Sequence, residues 1–159
     1  MAFQPEERYM RMAIEKCRKG IARGQSPFGA CIVKDGQAIA LEHNVVWETT
    51  DITAHAEVTA IRAACKNIDD IDLTGAVIYS TTEPCPMCFS ASHWARIGTI
   101  VYGASIADAA KAGFNELEVS NEDLKRIGGT GVEIVPGFMR DECVKLFEEW
   151  LSSPASRSY

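Results

Sequence analysis

Short runs of Val, Ile and Ala alternate along this chain with apolar stripes at helical spacing. That alternation restricts the fold to layers of helix on sheet. Met10, Ile14, Cys17 and Ile21 fall at i, i+4, i+7 and i+11, one face of a helix over 6–21. Two apolar runs follow, 28–34 and 37–43, separated by Asp35-Gly36, the dipeptide of a two-residue hairpin. Ala54, Val58, Ile61 and Cys65 mark a second helix over 54–66. Residues 76–80 read as a buried strand. Pro84 and Pro86 then punctuate the chain, and Pro86 suits the first turn of a third helix that runs to about Arg96. Strands at 99–102 and 132–135, a short helix at 106–111 and a terminal helix striped by Val144, Phe147 and Leu151 complete the series. The order α-β-β-α-β-α-β-α-β-α predicts an α/β three-layer sandwich with a mixed five-stranded sheet. The hairpin supplies an antiparallel pair, and helical crossovers supply the parallel ones. With no repeat and no linker, 1–159 reads as a single domain, and the Ser-rich stretch 152–159 reads by composition as a disordered tail.

Charge and cysteine usage narrow the function. The net charge is −6, and 16 basic residues are scattered among 22 acidic ones. A chain that grips polynucleotide clusters Lys and Arg against phosphates, so a small-molecule substrate fits better and nucleic acid is not the expected partner. No run approaches a membrane span, and the charged start lacks the apolar run of a signal peptide, so a cytoplasmic protein is expected. Of the six cysteines only Cys85 and Cys88 are close in sequence; the others sit singly in apolar segments, as buried thiols do.

Two short motifs carry chemistry: His55-Ala56-Glu57 and Pro84-Cys85-Pro86-Met87-Cys88, each expected at a helix start. Cysteines three apart share a helix face, and the helix N-terminus favours their thiolate form. Two thiolates and the imidazole of His55 would give Zn²⁺ three protein ligands and leave a fourth position for water, the arrangement of a catalytic site. Glu57, two residues from His55, is placed to take a proton from that water and pass it to a ring nitrogen and then to a leaving amine. Alone, Cys-x-x-Cys after a strand is equally the form of a thioredoxin-type redox motif; the His-x-Glu favours the metal. His43 and His93 read as core or surface histidines rather than ligands.

His-x-Glu followed by Pro-Cys-x-x-Cys resembles the signature of the cytidine deaminase-like zinc deaminases. Pro27-Phe28-Gly29-Ala30, Thr53-Ala54-His55-Ala56-Glu57, Glu83-Pro84-Cys85-Pro86-Met87-Cys88 and the segment Asp108 to Phe114 are similar to the small bacterial guanine deaminases. This resemblance implies one Zn²⁺ per chain on His55, Cys85 and Cys88, with Glu57 and Glu116 as catalytic carboxylates. It also implies base contacts from Phe28, Asn44, Ala56, Trp94 and Tyr159. Those enzymes typically carry Asp where this chain has Glu116. It further implies a homodimer in which 152–159 crosses to the partner as a lid ending in Tyr159. The activity implied is hydrolysis of a purine amine, guanine to xanthine and ammonia. Rival readings are a tRNA adenosine deaminase, or a deaminase of guanosine, cytosine or a related ring such as a triazine; outside catalysis the rival is a zinc or redox-binding module.

Overall fold

The computed structural model describes residues 2–159, and the strands assemble as one five-stranded sheet in the order β2-β1-β3-β4-β5. Helix α1 (Glu7–Ala22) leads into β1 (Gly29–Lys34) and β2 (Gln37–His43). Asp35 and Gly36 take φ of 51° and 73° between them, the left-handed pair that a tight hairpin requires. A single turn, α2 (Val46–Thr49), precedes α3 (Ala56–Ile68), β3 (Val77–Thr82), α4 (Pro86–Trp94) and β4 (Thr99–Ala104). Helices α5 (Ile106–Lys111) and α6 (Asn121–Gly128), strand β5 (Glu133–Val135) and helix α7 (Arg140–Leu151) end the ordered series. β1 is antiparallel to β2 and β3, whereas β3, β4 and β5 are parallel. The mixed sheet expected from the sequence is therefore present. The order differs from expectation by two helices, α2 and α6, which are too short and polar to show a helical stripe.

Side chains alternate across the sheet and build two cores. Cys31, Val33, Tyr79 and Val101 face one side, where they pack with Met10, Ile14 and Cys17 of α1 and with Leu146, Phe147 and Trp150 of α7. Ala30, Ile32, Ile78 and Ile100 face the other side and pack with Ala56, Ala60 and Ala64 of α3 and Phe89 of α4. Period two along β1, β3 and β4 thus assigns α1 and α7 to one layer and α3 and α4 to the opposite one. Among the described residues no helix is long and apolar enough to cross a membrane.

The alanines of α3 let that helix lie close to the sheet, and α1 comes close for a different reason. Gly29 has no side chain, and a Cβ there would run into the Ala13 carbonyl and meet Cys17 Cβ at 3.0 Å. Its N–H donates to Thr81 Oγ1 at 3.1 Å, which locks β1 to β3 beside Phe28. Overpacking of this kind costs about 1–3 kcal/mol. Gly29→Ala is accordingly expected to lower the unfolding free energy by that amount, seen as a lower urea midpoint with an unchanged slope; an unchanged midpoint would show that α1 can back away from the sheet.

Candidate active site

Two helix starts meet at the C-terminal edge of the sheet. His55 is the N-cap of α3 and Cys85 the N-cap of α4, both in extended conformation, with Pro86 as the first residue of α4. Cys88 follows in the first turn and is fully buried. His55 Nδ1 lies 3.6 Å from Cys85 Sγ and 3.6 Å from Cys88 Sγ. Zinc bonds of about 2.3 Å to sulfur and 2.0–2.1 Å to nitrogen, at a tetrahedral angle, put N and S roughly 3.5 Å apart, so the spacing fits the ion. All three donor atoms lie within 4.8 Å of one another. The chemistry agrees with the geometry. The hydrogen bond from Cys88 pulls the Cys85 thiol down to about 4 against burial, with His55 assisting. That same bond and burial push Cys88 well above the usual thiol range. Two sulfurs that share one proton in this way form a ready seat for a cation.

Glu57 stands beside the three donors as a neighbour. It is 5% exposed, and its Oε2 lies 3.4 Å from Cys88 Sγ. Ser80 Oγ lies 3.0 Å from Glu57 Oε1 and 2.7 Å from the Thr82 carbonyl. A hydroxyl has one hydrogen, so when Ser80 donates it to Thr82 the Glu57 carboxyl must be the donor in its own contact. Burial, then the charge on Cys85, raise the Glu57 pKa and favour that protonated form. A carboxyl poised between two protonation states is suited to carrying a proton. Glu116 reaches the same place from the loop after α5, and burial, with the charges of Cys85 and Glu57, raises it to about 7.

The loop carrying the cysteines is anchored from below. Glu83, buried, accepts from the backbone N–H of Asn121 at 2.8 Å and from that of Ile106 at 3.0 Å. One carboxylate therefore caps the starts of both α5 and α6. Asn121 Nδ2 donates to the Pro84 carbonyl at 2.7 Å and closes the clamp. Nothing in local sequence marks Glu83 or Ser80 for these tasks, because their partners lie far along the chain.

The walls of the site agree with the sequence in part. A narrow cleft of about 20 Å³ is lined by Phe28, His55, Glu57, Thr82, Glu83, Cys85, Glu116 and Tyr159. It adjoins a wider chamber of about 290 Å³ whose rim includes Ile52, Met87, Phe114 and Leu117. Phe28 meets Phe114 edge-on at 4.9 Å. Asn44 is fully buried and donates from Nδ2 to the Tyr159 hydroxyl at 2.6 Å. The Tyr159 ring sits 5.6 Å from that of His55. Three expectations need correction. Trp94 is 83% exposed at the far end of α4, which runs away from Cys85 at about 1.5 Å per residue, so it lines no part of its own chain's site. The Ala56 side chain is fully buried in the core under α3 and does not face the cavity. Residues 152–159, which read by composition as a disordered tail, are instead ordered over the site, since Asn44 and the Asn115 N–H, which donates to the Tyr159 carbonyl at 3.1 Å, hold the terminal residue there. His43 is buried with Nδ1 2.8 Å from the Asn44 carbonyl, and His93 is exposed; neither joins the donor set.

Three nitrogen and sulfur donors with a proton-carrying carboxyl alongside, on a mixed sheet, define a zinc-dependent deaminase; a dithiol redox pair has no use for the imidazole between its sulfurs. The chain belongs to the cytidine and deoxycytidylate deaminase zinc-binding family, whose model it matches over residues 4–104. Guanine deaminase of Bacillus subtilis strain 168 is 44% identical over 117 residues, 73% of this chain and 75% of that protein. A tRNA-specific adenosine deaminase of Agrobacterium fabrum is 43% identical over 96 residues, 60% of this chain and 63% of that protein. A solved structure of guanine deaminase from Nitrosomonas europaea superposes with a TM-score of 0.85 at 27% identity, over 94% of this chain and 86% of that one.

Metal analysis of the purified protein is expected to give one zinc per chain. Cys88→Ser removes one of three donors and should leave most of the protein without zinc. Stripping the metal from the parent with a chelator should lower Tm by about 5–10 °C, the shift that corresponds to a tightly held ligand in a domain of this size. A parent whose Tm ignores the chelator would show that the three donors hold no ion.

Proposed function

We propose that the protein hydrolyses the exocyclic amine of a free purine base, with guanine as the leading substrate and xanthine and ammonia as products. The observation that carries this reading is the closure of the site by the C-terminal tyrosine. Tyr159 covers the cleft, and no Lys or Arg among the described residues lines either the cleft or the chamber. A nucleic-acid loop needs an open groove and partners for its phosphates. A free base needs neither.

The reaction adds water across the ring carbon that bears the amine. The water oxygen bonds to that carbon, the carbon–nitrogen bond breaks, and ammonia leaves. A zinc ion on His55, Cys85 and Cys88 would supply a Lewis acid that makes water nucleophilic at neutral pH. Glu57 takes the proton from the attacking water, hands it to the ring nitrogen next to the reacting carbon, and later carries a proton to the departing amine. Ser80 fixes the Glu57 carboxyl while it does so. Glu116, held near neutrality in its pKa, faces the same cleft and assists the second transfer. The Asn44 amide offers a donor to a ring acceptor, and the Phe28 and Phe114 rings wall the base.

A homodimer belongs to the same proposal. Met87, Ala91 and Trp94 form an outward face of α4, and the helix carries no Asp, Glu, Lys or Arg. That surface suits a second copy better than it suits water.

Transfer RNA is the second reading, and the similarity to the Agrobacterium enzyme favours it. Ammonia release separates the two when measured on guanine, guanosine, cytosine, adenine, ammeline and a tRNA anticodon stem-loop. Guanine is expected to give the highest kcat/KM, with little dependence on salt. Glu57→Gln should retain zinc and lose about 10²–10⁴-fold in kcat. Activity that requires the RNA and falls steeply with added salt would transfer the assignment to tRNA.

A further inference from the structure

Trp47 lies outside the catalytic set, yet it holds the segment that closes the site. It sits half-buried on the single turn α2, three residues after Asn44. Its indole Nε1 donates to the Arg157 carbonyl at 3.3 Å. The Arg157 guanidinium lies over the indole, 3.7 Å from its centre. The edge of the same ring meets Tyr159 at 6.2 Å. One side chain thus makes three contacts with two of the last three residues, Arg157 and Tyr159.

Tyr159 stands where a base must go. Its hydroxyl takes the Asn44 Nδ2 donor at 2.6 Å, and its ring tilts by 36° against His55. Beneath it the cleft measures about 20 Å³, room for about one water and far less than a purine. A base that is to reach Glu57 and use Asn44 must displace the tyrosine ring. The Asn44 Oδ1 is already committed to the Val46 N–H at 3.1 Å, so the amide cannot flip, and the Tyr159 hydroxyl occupies one of its two N–H hydrogens.

The geometry points to Trp47 as a positioning residue that sets substrate affinity by latching the C-terminal segment over the base site. This inference rests on the free-base reading above and names what regulates entry to that site. When only part of the population is open, the apparent dissociation constant rises in inverse proportion to the open fraction. One cation–π contact and one hydrogen bond are enough to change that fraction about fivefold. Loosening the latch therefore lowers KM and leaves kcat in place, because Trp47 touches no reacting atom.

Two measurements on the zinc-loaded protein test this. Carboxypeptidase release of the terminal tyrosine, followed by mass spectrometry, reads the latch without any substrate. Trp47→Ala is expected to speed release about fivefold, and Arg157→Ala to act in the same direction. Arg157 is exposed, so its loss cannot disturb the core. Release no faster than from the parent in both variants would overturn the latch. Steady-state kinetics on whichever ring proves to be deaminated should then show KM lowered about fivefold in Trp47→Ala with kcat kept. A raised or unchanged KM would overturn the gating. In a chain that ends at Ser152, Trp47→Ala should shift KM no further; a shift that persists there would mean that Trp47 acts through the fold. If no ring releases ammonia, the substrate reading fails by itself and the carboxypeptidase comparison still decides the latch.

Discussion

The convergence of two helix N-termini is the constraint on which the rest of the site depends. His55 and Cys85 are N-caps, so their backbones are extended and their side chains turn back towards the point where α3 and α4 meet. That point is fixed by the sheet, because α3 packs on β1 and β2 and α4 packs on α3. The alanine face of α3 sets the depth at which the helix lies, and the depth sets the 3.6 Å spacing from imidazole nitrogen to each sulfur. Larger residues at Ala56, Ala60 or Ala64 would push the ligand away from its partners before they touched the metal site. Core packing and coordination geometry are in this sense one requirement.

The buried acid shows the opposite tension. Enclosing Glu57 among sulfur and hydroxyl groups disfavours its charge, and a fold selected for stability alone would replace it. The structure gives it Ser80 and Cys88 as partners and, among the described residues, no paired Lys or Arg. The carboxyl is left able to hold a proton or to give one up, which a firmly salt-bridged acid could not do. Asp108 illustrates the contrast: its own hydrogen bonds with Ser105 and a 2.7 Å pair with Arg140 outweigh burial and keep its pKa low. The same carboxyl group is structural in one environment and chemical in the other.

The sequence made much of this legible, and the parts it hid share a cause. The hairpin at Asp35-Gly36, the helices with long apolar stripes and the metal trio rest on spacings of a few residues, and periodicity reads such spacings well. Helices α2 and α6 escape periodicity because they span one and two turns; α2 leans on distant Gln25, and α6 on distant Glu83 beside its local Ser120 cap. Trp94 was misplaced because resemblance transfers a residue's role without transferring the direction in which its helix runs. The path of 152–159 could not be read from a Ser-rich composition, since what fixes it is an amide, an indole and a backbone N–H more than 40 positions upstream.

The Glu83 clamp has a wider consequence. It holds the cysteine loop and the starts of α5 and α6 from beneath, so the metal seat is secured at points outside the segment 112–120 that bears Glu116 and Leu117. That segment lines the cleft and the chamber and supplies none of the three donors. Insertions, deletions and exchanges within it can accumulate without loosening the ligands. A lineage built on this scaffold is thereby free to change what it eats while keeping the tooth that bites.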